Sequence, residues 1–527
     1  MRYTSILYKA AISTIVLPIQ LTAQTRNDTL LGKPYAELFE MHYFKESEYH
    51  LSSDNASGLS LGSRINYSDV NLTYEYSDGN YHRPQQASSY NNCLFSAEGA
   101  VTMGKFYVVG GFNFKEAFEK NVQFTSILNP YRGTPYIIAD STGGNWKKQT
   151  YDMWTRIASP IYYHFISFGL DGRLAVGRGA KSIDPRPQAN SNAIQVAPSF
   201  TLIQKRHSLG GNFSYRRFRE NSNMILYDTG NPQKIYLMKG MGQYTHDLFS
   251  TNERERQYTG DGFGGGVQYG YKSDRMNVFL DGIYENYVEN ANDIENNKPR
   301  QRGRLYENNW KGQLHVDFYN KEYSVKHALS VGYNETNRSG REIIQIFNSS
   351  SEVNAWVTSS EASHRSVVSQ KEWKAGYNLY LFDGTTTSYK WKFSLNGKLT
   401  EYIDEYVVMN SFLKFNSYTA TLNALRNFNI KKTNLLQVGL EGSFRGVWND
   451  KNRYTPREPL DKTIETELVN SDATILTQNY GQLQAHVLYG HNLKNKTCLY
   501  AKSSFSLLRT EDKLNRTNVS ASVGYNF

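Results

Sequence analysis

The chain has 527 residues, a formal net charge of +10 and 14% aromatic residues, with 40 Tyr but only two Cys. Its mean hydropathy of −0.61 excludes a protein built from membrane-spanning helices, since each such helix needs about 20 mostly apolar residues. Two cysteines in so long a chain also exclude a disulfide-rich secreted scaffold. A membrane β-barrel passes both tests, because only every second residue of its strands faces lipid.

The first 23 residues have the pattern of a secretory signal peptide. Arg2 and Lys9 precede the apolar run 10–21, and Ala23 offers a small side chain for cleavage. The apolar run is too short to predict a transmembrane helix. We therefore expect an exported chain in which residues 24–68 form an N-terminal segment, either periplasmic or folded into the lumen of a barrel.

From residue 69 to residue 527, alternating apolar residues recur in pairs of strands joined by short polar turns. Clear hairpins turn at 103–105, 273–274, 320–322 and 383–384. Period-two alternation places apolar side chains on one face of a strand and polar side chains on the other. The pattern predicts an all-β, transmembrane antiparallel barrel of about 18 strands, within a range of about 14 to 18.

The polar segments between the hairpins are predicted to be the extracellular loops of the barrel. Bacterial barrels have short periplasmic turns and long extracellular loops. A soluble sandwich or propeller is the alternative fold, but polar residues fill the strand faces where its aliphatic core would lie. The longest expected loops are 121–149, 221–255, 290–303, 338–364 and 449–476.

Several lysines lie on the polar faces of predicted strands. In a water-filled lumen they would raise the local concentration of anionic solutes. Two alternatives stay open: these lysines simply hydrate the lumen, or external residues such as Arg300, Arg302 and Arg304 pair with lipopolysaccharide phosphates. The candidate lumen-facing basic residues are Lys374, Lys390, Lys392, Lys398 and Lys502.

Signals for chemistry are weak. Asp140 and Ser141, with His164, His207 and His246 elsewhere, admit an outer-membrane hydrolase as a minor alternative. No G-x-S-x-G or comparable frame surrounds the serine, however. Neither cysteine lies in a CxxC motif or a His-rich tract of the kind that binds metal. We predict no catalytic residue, cofactor or metal site, and no nucleic-acid partner.

The chain ends on an aromatic residue. Gly524, Tyr525 and Phe527 close a strand whose apolar side chains alternate from Val519. This ending resembles the insertion signal of Gram-negative outer-membrane barrels. Together with the export signal and the hairpin series, it makes the whole mature chain resemble that class. The resemblance implies an outer-membrane location and contacts with lipid, lipopolysaccharide and the barrel insertion machinery.

Residues 181–187, with the sequence KSIDPRP, resemble a segment of an uncharacterised barrel family known only as a domain of unknown function. That resemblance implies no activity. Pro185 and Pro187 forbid regular strand pairing, while Asp184 and Arg186 are placed to pair with each other. Two interpretations stay open: a rigid loop at the external rim, or a constriction folded into the lumen.

These observations predict a channel, or a protein that takes up or binds a solute, at the cell surface. A preference for anionic solutes is the finer hypothesis. The alternative is a structural or interaction barrel, closed by its own loops and N-terminal segment, that accompanies a transporter or secretion complex. An open lumen favours the first interpretation and a filled lumen favours the second.

Overall fold

The computed structural model describes residues 37–250, 253–295, 297–350, 354–384, 387–430, 433–457, 462–493 and 497–527. The predicted signal peptide (1–23) and residues 24–36 of the predicted N-terminal segment lie outside these ranges. Among the helices within them, none combines the length and the apolar character needed to cross a bilayer.

Eighteen antiparallel strands form one closed sheet. They are β1 (Tyr67–Asp78), β2 (Ser89–Met103), β3 (Phe106–Val122), β5 (Gly144–Ala158), β6 (Ile166–Lys181), β7 (Arg186–Gln204), β8 (His207–Ile225), β11 (Glu253–Lys272), β12 (Met276–Glu295), β13 (Lys298–Tyr319), β14 (Val325–Asn348), β15 (Ala355–Phe382), β16 (Tyr389–Tyr406), β17 (Ser411–Ile430), β18 (Asn434–Arg453), β19 (Tyr480–Asn492), β20 (Cys498–Thr510) and β21 (Asn515–Asn526).

The cylinder closes between the first and the last of these strands. β1 pairs with β2 on one side and with β21 on the other, so that Asp69 lies opposite Asn526 and Asp78 opposite Thr517. The remaining strands pair with their neighbours along the chain. The predicted transmembrane antiparallel barrel is therefore confirmed, with the predicted strand number.

The outer face of the barrel is apolar and its inner face is polar. Leu422 on β17 and Leu483 on β19 are each 64% exposed, as expected for side chains that contact lipid. On the opposite face, hydroxyl groups bridge neighbouring strands, as between Ser504 and Ser520 (2.7 Å) and between Thr73 and Ser522 (2.9 Å). Two in-register aromatic pairs, Tyr284–Trp310 and Tyr333–Trp373, lie on the outer face and consist of the residue types that are enriched at membrane interfaces.

Two of the expected loops are instead strand. Residues 290–303 and 338–364 were predicted as loops, but β12 and β13 run to within two residues of each other, and β15 is 28 residues long. A tilted strand crosses a bilayer in about 10 residues, so these hairpins project well beyond it. Cross-strand contacts such as Asp293 opposite Arg300 and Phe347 opposite Trp356 support polar strands in water.

The two ends of the barrel differ. The short connections, such as 104–105, 205–206 and 273–275, lie at one end, here called the turn end. The other end, here called the loop end, carries a second sheet of three short strands, β4 (Ile138–Ala139), β9 (Gln233–Gly240) and β10 (Gln243–Phe249). It also carries a π-helical turn, Ile464–Asn470, that continues into helix α2 (Ser471–Leu476).

Residues 37–66, here called the N-terminal segment, precede β1. They form helix α1 (Leu38–Ser47) and two 3₁₀ turns, Tyr49–Leu51 and Ala56–Ser60. Side chains of this segment contact strands from every part of the ring, including β2, β6, β13 and β20–β21. The N-terminal segment therefore lies inside the barrel, at the turn end.

Candidate functional site

The 3₁₀ turn at 56–60 is hydrogen-bonded to the inner wall. The Asn55 amide donates to Thr201 Oγ1 (3.1 Å) and Gln268 Oε1 (3.0 Å), and Ser57 Oγ lies 2.7 Å from Thr201 Oγ1. Gly169 on β6 permits this close approach, because an added Cβ would overlap the backbone nitrogen of Ser57. These contacts satisfy buried polar groups on both the segment and the wall.

Charged groups hold the adjoining part of the segment. The guanidinium of Arg156, which pairs with Asp171 at 2.5 Å, also donates to the Leu51 carbonyl, and Arg173 pairs with Asp54 at 3.3 Å. Such charge-assisted hydrogen bonds are roughly twice as strong as neutral ones. This stretch is therefore fixed to β5 and β6 mainly by polar contacts.

Aromatic residues of the segment cover a buried ion pair on the opposite wall. Lys326 and Asp317 lie 3.0 Å apart and are both about 2% exposed. Tyr49 donates to the same Asp317 carboxylate (2.6 Å) and stacks on His315 with ring centroids 4.2 Å apart. A buried ion pair needs such additional hydrogen bonds to offset its desolvation.

Burial shifts the pKa values of ionisable groups on the segment itself. Desolvation raises the pKa of Glu48 to about 7, opposed by a hydrogen bond from the His50 backbone and by the charges of Lys272 and Lys326. Desolvation also lowers the pKa of His50 to about 4. Burial therefore favours the neutral form of both side chains. Attachment of the segment is sensitive to pH as a result.

The candidate lumen lysines are distributed over several ion pairs. Lys392 binds Glu46 of the N-terminal segment (2.9 Å), whereas Lys374 and Lys398 share Glu372 at 3.2 and 3.5 Å. Part of their charge is thus compensated inside the barrel.

Lys390 and Lys502 lie apart from that group. A register shift brings Tyr389 opposite Phe382, and Lys390 pairs instead with Asp383 in the turn at 2.9 Å. Lys390 therefore lies at the turn end and not with Lys392 and Lys398, which lie further along β16. The charge of Lys502 on β20 acts on His42 of α1, whose pKa is lowered to about 4, mainly by desolvation.

Three connections between strands cover the loop end. We call them the loop-end cap, which consists of the described residues within 123–143, 226–252 and 454–479. Tyr258 of β11 donates to the carbonyl of Tyr136 (2.9 Å), and Tyr454 donates to that of Gly242 (2.9 Å). Arg132 reaches Glu220 of β8 (3.3 Å) and Glu289 of β12. An apolar cluster formed by cap residues and strand ends fills the space between them.

The sequence-predicted rim residues Asp184 and Arg186 lie at the β6–β7 connection. Asp184 pairs with Arg186 (2.7 Å) and accepts hydrogen bonds from the backbone N–H groups of Tyr227 and Asp228 at 3.1 and 3.0 Å. The guanidinium also lies over the Tyr227 ring. Pro187, expected to prevent strand pairing, lies within β7 opposite Met224. The pair thus secures the start of the 226–252 connection.

Two of the three histidines considered for a hydrolase lie far from Asp140 and Ser141. The third, His246, lies on β10, in the same three-stranded sheet as β4, which ends at Ala139. Asp140 and Ser141 belong to the loop-end cap, and Asp140 pairs there with Lys181 (2.7 Å). His164 and His207 lie at the turn end, separated from Ser141 by β5, whose 15 residues span about 50 Å. Within the described ranges, no group of three or more His, Cys, Asp or Glu residues is placed to hold a metal ion.

A basic cavity of about 540 Å³ opens at the loop end, between the cap and the ends of β13–β16. Sequence reasoning identified Arg300 and Arg302 as external charges, but both line this cavity. The other basic residues there were not predicted, because they come from distant parts of the chain. The clustering of Arg residues in the loop-end hairpins is the sequence signal that could have indicated a basic cavity.

The end of the chain forms the barrel seam. Phe527 and Ser68 exchange two backbone hydrogen bonds of 2.8 and 2.9 Å, and the rings of Tyr525 and Phe527 stack. At Gly524 an added Cβ would overlap the ring of Tyr500, whose hydroxyl donates to Asp69 (3.0 Å). The residues predicted as an insertion signal therefore also close the sheet.

Comparison with protein families gives one match. The model of a family of unknown function, DUF6850, matches residues 56–527. The chain belongs to that family. The match begins inside the N-terminal segment, at the first residue of the 56–60 turn, and includes the whole barrel. No curated protein matches the chain.

Among the solved structures that are similar to this chain are receptors and transporters. The ferripyoverdine receptor of the outer membrane of Pseudomonas aeruginosa has a TM-score of 0.41 at 10% identity, covering 88% of this chain and 72% of that one. The ferric preacinetobactin receptor from Acinetobacter baumannii has a TM-score of 0.38 at 8% identity, covering 88% and 80%. The crystal structure of the ferric citrate transporter FecA in the unliganded form gives 0.41 at 7%, covering 88% and 79%. At these scores the likeness carries no argument about function.

Proposed function

We propose that the chain is a gated solute-uptake barrel of a Gram-negative outer membrane, with the turn end in the periplasm and the loop end at the cell surface. The observation that carries this proposal is the mainly polar attachment of residues 48–57 of the N-terminal segment, in contrast to the apolar packing of helix α1 and Leu59. Polar, hydrogen-bonded interfaces are typical of contacts that separate reversibly. An 18-stranded barrel freed of its contents leaves an aqueous channel.

The finer proposal is that the barrel prefers anionic solutes, and that this preference depends on whether the N-terminal segment is bound or released. While the segment is bound, Glu46 compensates Lys392. Release of the segment would leave Lys392 and Lys502 facing the lumen without the α1 groups beside them. The open state would therefore be more attractive to anions than the closed state.

A closed interaction barrel is the second candidate function. The observation that favours it is that both ends are covered, at the turn end by the segment and at the loop end by the cap. In this alternative the surface formed by the loop-end hairpins would bind a protein partner, such as a transporter or secretion complex, and no solute would pass.

Conductance across planar bilayers distinguishes the two functions. We expect the full chain to conduct poorly, and deletion of residues 37–60 together with 229–249 to raise conductance at least tenfold with selectivity for chloride. Each single deletion should have a smaller effect, because the other end stays covered. A double-deletion variant that folds, by its circular dichroism spectrum, but does not conduct would contradict uptake and favour the interaction barrel.

A matched pair of glycine variants tests the segment without deleting it. In the background lacking 229–249, Gly169→Ala should increase conductance because the added methyl group displaces Ser57. Gly172→Ala on the same strand should not, since its Cβ would meet only a methyl group of Thr155 at 3.7 Å. Equal conductance in the two variants would show that the 56–60 turn does not control the passage.

A further inference from the structure

The basic cavity at the loop end has an excess of positive charge. It lies between the β9–β10 hairpin and the ends of β13, β14, β15 and β16. A single carboxylate, that of Glu342, lines it. The cationic side chains that line it are Lys239, Arg256, Arg300, Arg302, Arg365 and Arg457.

Carboxylates behind the cavity wall compensate only part of this charge. Asp293 is shared by three guanidinium groups, those of Arg254 (3.7 Å), Arg256 (2.5 Å) and Arg302 (2.7 Å). Glu295 likewise forms ion pairs with both Arg300 and Arg302. Because each carboxylate is divided among several cations, the wall keeps a net positive charge.

Two of the arginines, Arg365 and Arg457, form no ion pair with a carboxylate of the described residues. They reach the cavity from different sides, Arg365 from β15 and Arg457 from the connection after β18. Guanidinium groups bind carboxylates and phosphates through paired hydrogen bonds, which makes them suited to oxyanions.

The rest of the lining fits the body of an organic molecule. The aromatic rings of Tyr136, Tyr244 and Tyr406 and the thioethers of Met238 and Met409 contribute to the walls. A volume of about 540 Å³ lies within the range of small-molecule pockets, which combine apolar walls with a few polar groups.

We propose that this cavity binds a small organic oligoanion with at least two carboxylate or phosphate groups, one of which is held by Arg365 and Arg457. The inference deepens the proposed function by naming the class of solute captured at the cell surface. Binding is independent of passage, because the cavity is reached from the loop end with the N-terminal segment in place.

Titration calorimetry on the full chain in neutral detergent tests the proposal. The probes are inorganic tripolyphosphate and propane-1,2,3-tricarboxylate, with spermidine as the cationic control. We expect both anions to bind and spermidine not to bind. Affinity should fall as salt rises from about 50 to 300 mM, because the interaction is electrostatic.

The double variant Arg365→Gln/Arg457→Gln should lower anion affinity at least tenfold. Arg509→Gln, which removes an exposed arginine on β20 outside the cavity, is the matched control and should bind as the wild type does. Unchanged affinity in the double variant, or no binding of either anion to the wild type at millimolar concentration, would overturn the inference. Neither result would affect the conductance test, so failure here is distinct from failure of the uptake proposal. Equal circular dichroism spectra would show that loss of binding is not loss of fold.

Discussion

At the scale of the residue, Glu48 shows how a side chain can make attachment of the N-terminal segment conditional. Its carboxylate lies among groups that desolvate it, and its pKa is raised to about 7. A carboxyl group whose pKa is higher in the attached state favours attachment when it is protonated. Its contribution is complete below its ordinary pKa of 4.5 and is lost as the pH rises through about 7.

The first prediction from this shift concerns Glu48→Gln, which keeps the side-chain shape but cannot ionise. At pH 8 the variant should hold the segment more tightly than the wild type, with severalfold slower amide exchange over residues 38–60. Near pH 5 the two proteins should exchange alike, since the wild-type carboxyl is then protonated. Hydrogen exchange measured by mass spectrometry at both pH values checks this, and slower exchange in the wild type at pH 8 would contradict it.

The pKa of His50 is shifted in the opposite direction and limits attachment of the segment at low pH. Its pKa is lowered to about 4, so its contribution to attachment is present above its ordinary pKa of 6.5 and is lost as the pH falls through about 4. Neither shift was predictable from the sequence. Both result from burial against strands that are distant in the chain, and no local pattern encodes that burial.

At the scale of the element, period-two alternation was enough to predict the strands but not their ends. Apolar residues such as Trp310 and Trp373 face lipid on alternate positions, and this face identified the membrane-spanning part of each strand. Beyond the membrane both faces meet water and the alternation disappears. The sequence pattern therefore predicts loops where the extended hairpins of β12–β15 lie, although cross-strand pairs such as Asp293–Arg302 hold them as strands.

The second prediction concerns the β6–β7 connection. Asp184→Ala removes the acceptor for two backbone N–H groups, worth about 1 kcal/mol each. Exchange of the Tyr227 and Asp228 amides should accelerate about tenfold or more. Arg186→Ala removes a partly exposed ion pair, which is worth about 0–1 kcal/mol, and the contact of the guanidinium with the Tyr227 ring. It leaves both backbone hydrogen bonds in place and should have a smaller effect. A larger effect of Arg186→Ala would show that the ion pair, not the backbone contacts, secures this connection.

At the scale of the whole molecule, the closed sheet was predictable and the contents of the lumen were not. An even series of amphipathic strands with an aromatic ending leaves few alternatives to a cylinder. The contacts that fill it join residues far apart in the chain, as in Tyr49–Asp317 and Lys392–Glu46. The side chains involved are polar and occur throughout the sequence, so nothing distinguishes them before the strands are in place.

The third prediction separates the two roles of the final residue. Phe527→Ala keeps the backbone hydrogen bonds to Ser68 but removes the ring that resembles an insertion signal. We expect severalfold less barrel in the outer membrane of cells and an unchanged yield of refolding into lipid vesicles. Phe505→Ala, which removes an exposed lipid-facing ring on β20, is the control and should not lower insertion in cells. A loss in both assays would assign Phe527 to stability instead of recognition.

The position of β21 has a further consequence for unfinished chains. A product that stops before residue 515 would leave β1 and β20 as two bare edges, each with a row of unsatisfied backbone N–H and C=O groups. In lipid such edges have no water to bond to. They can be satisfied only by another polypeptide, so an early stop or a C-terminal proteolytic nick converts a self-contained cylinder into a template for strand exchange between copies.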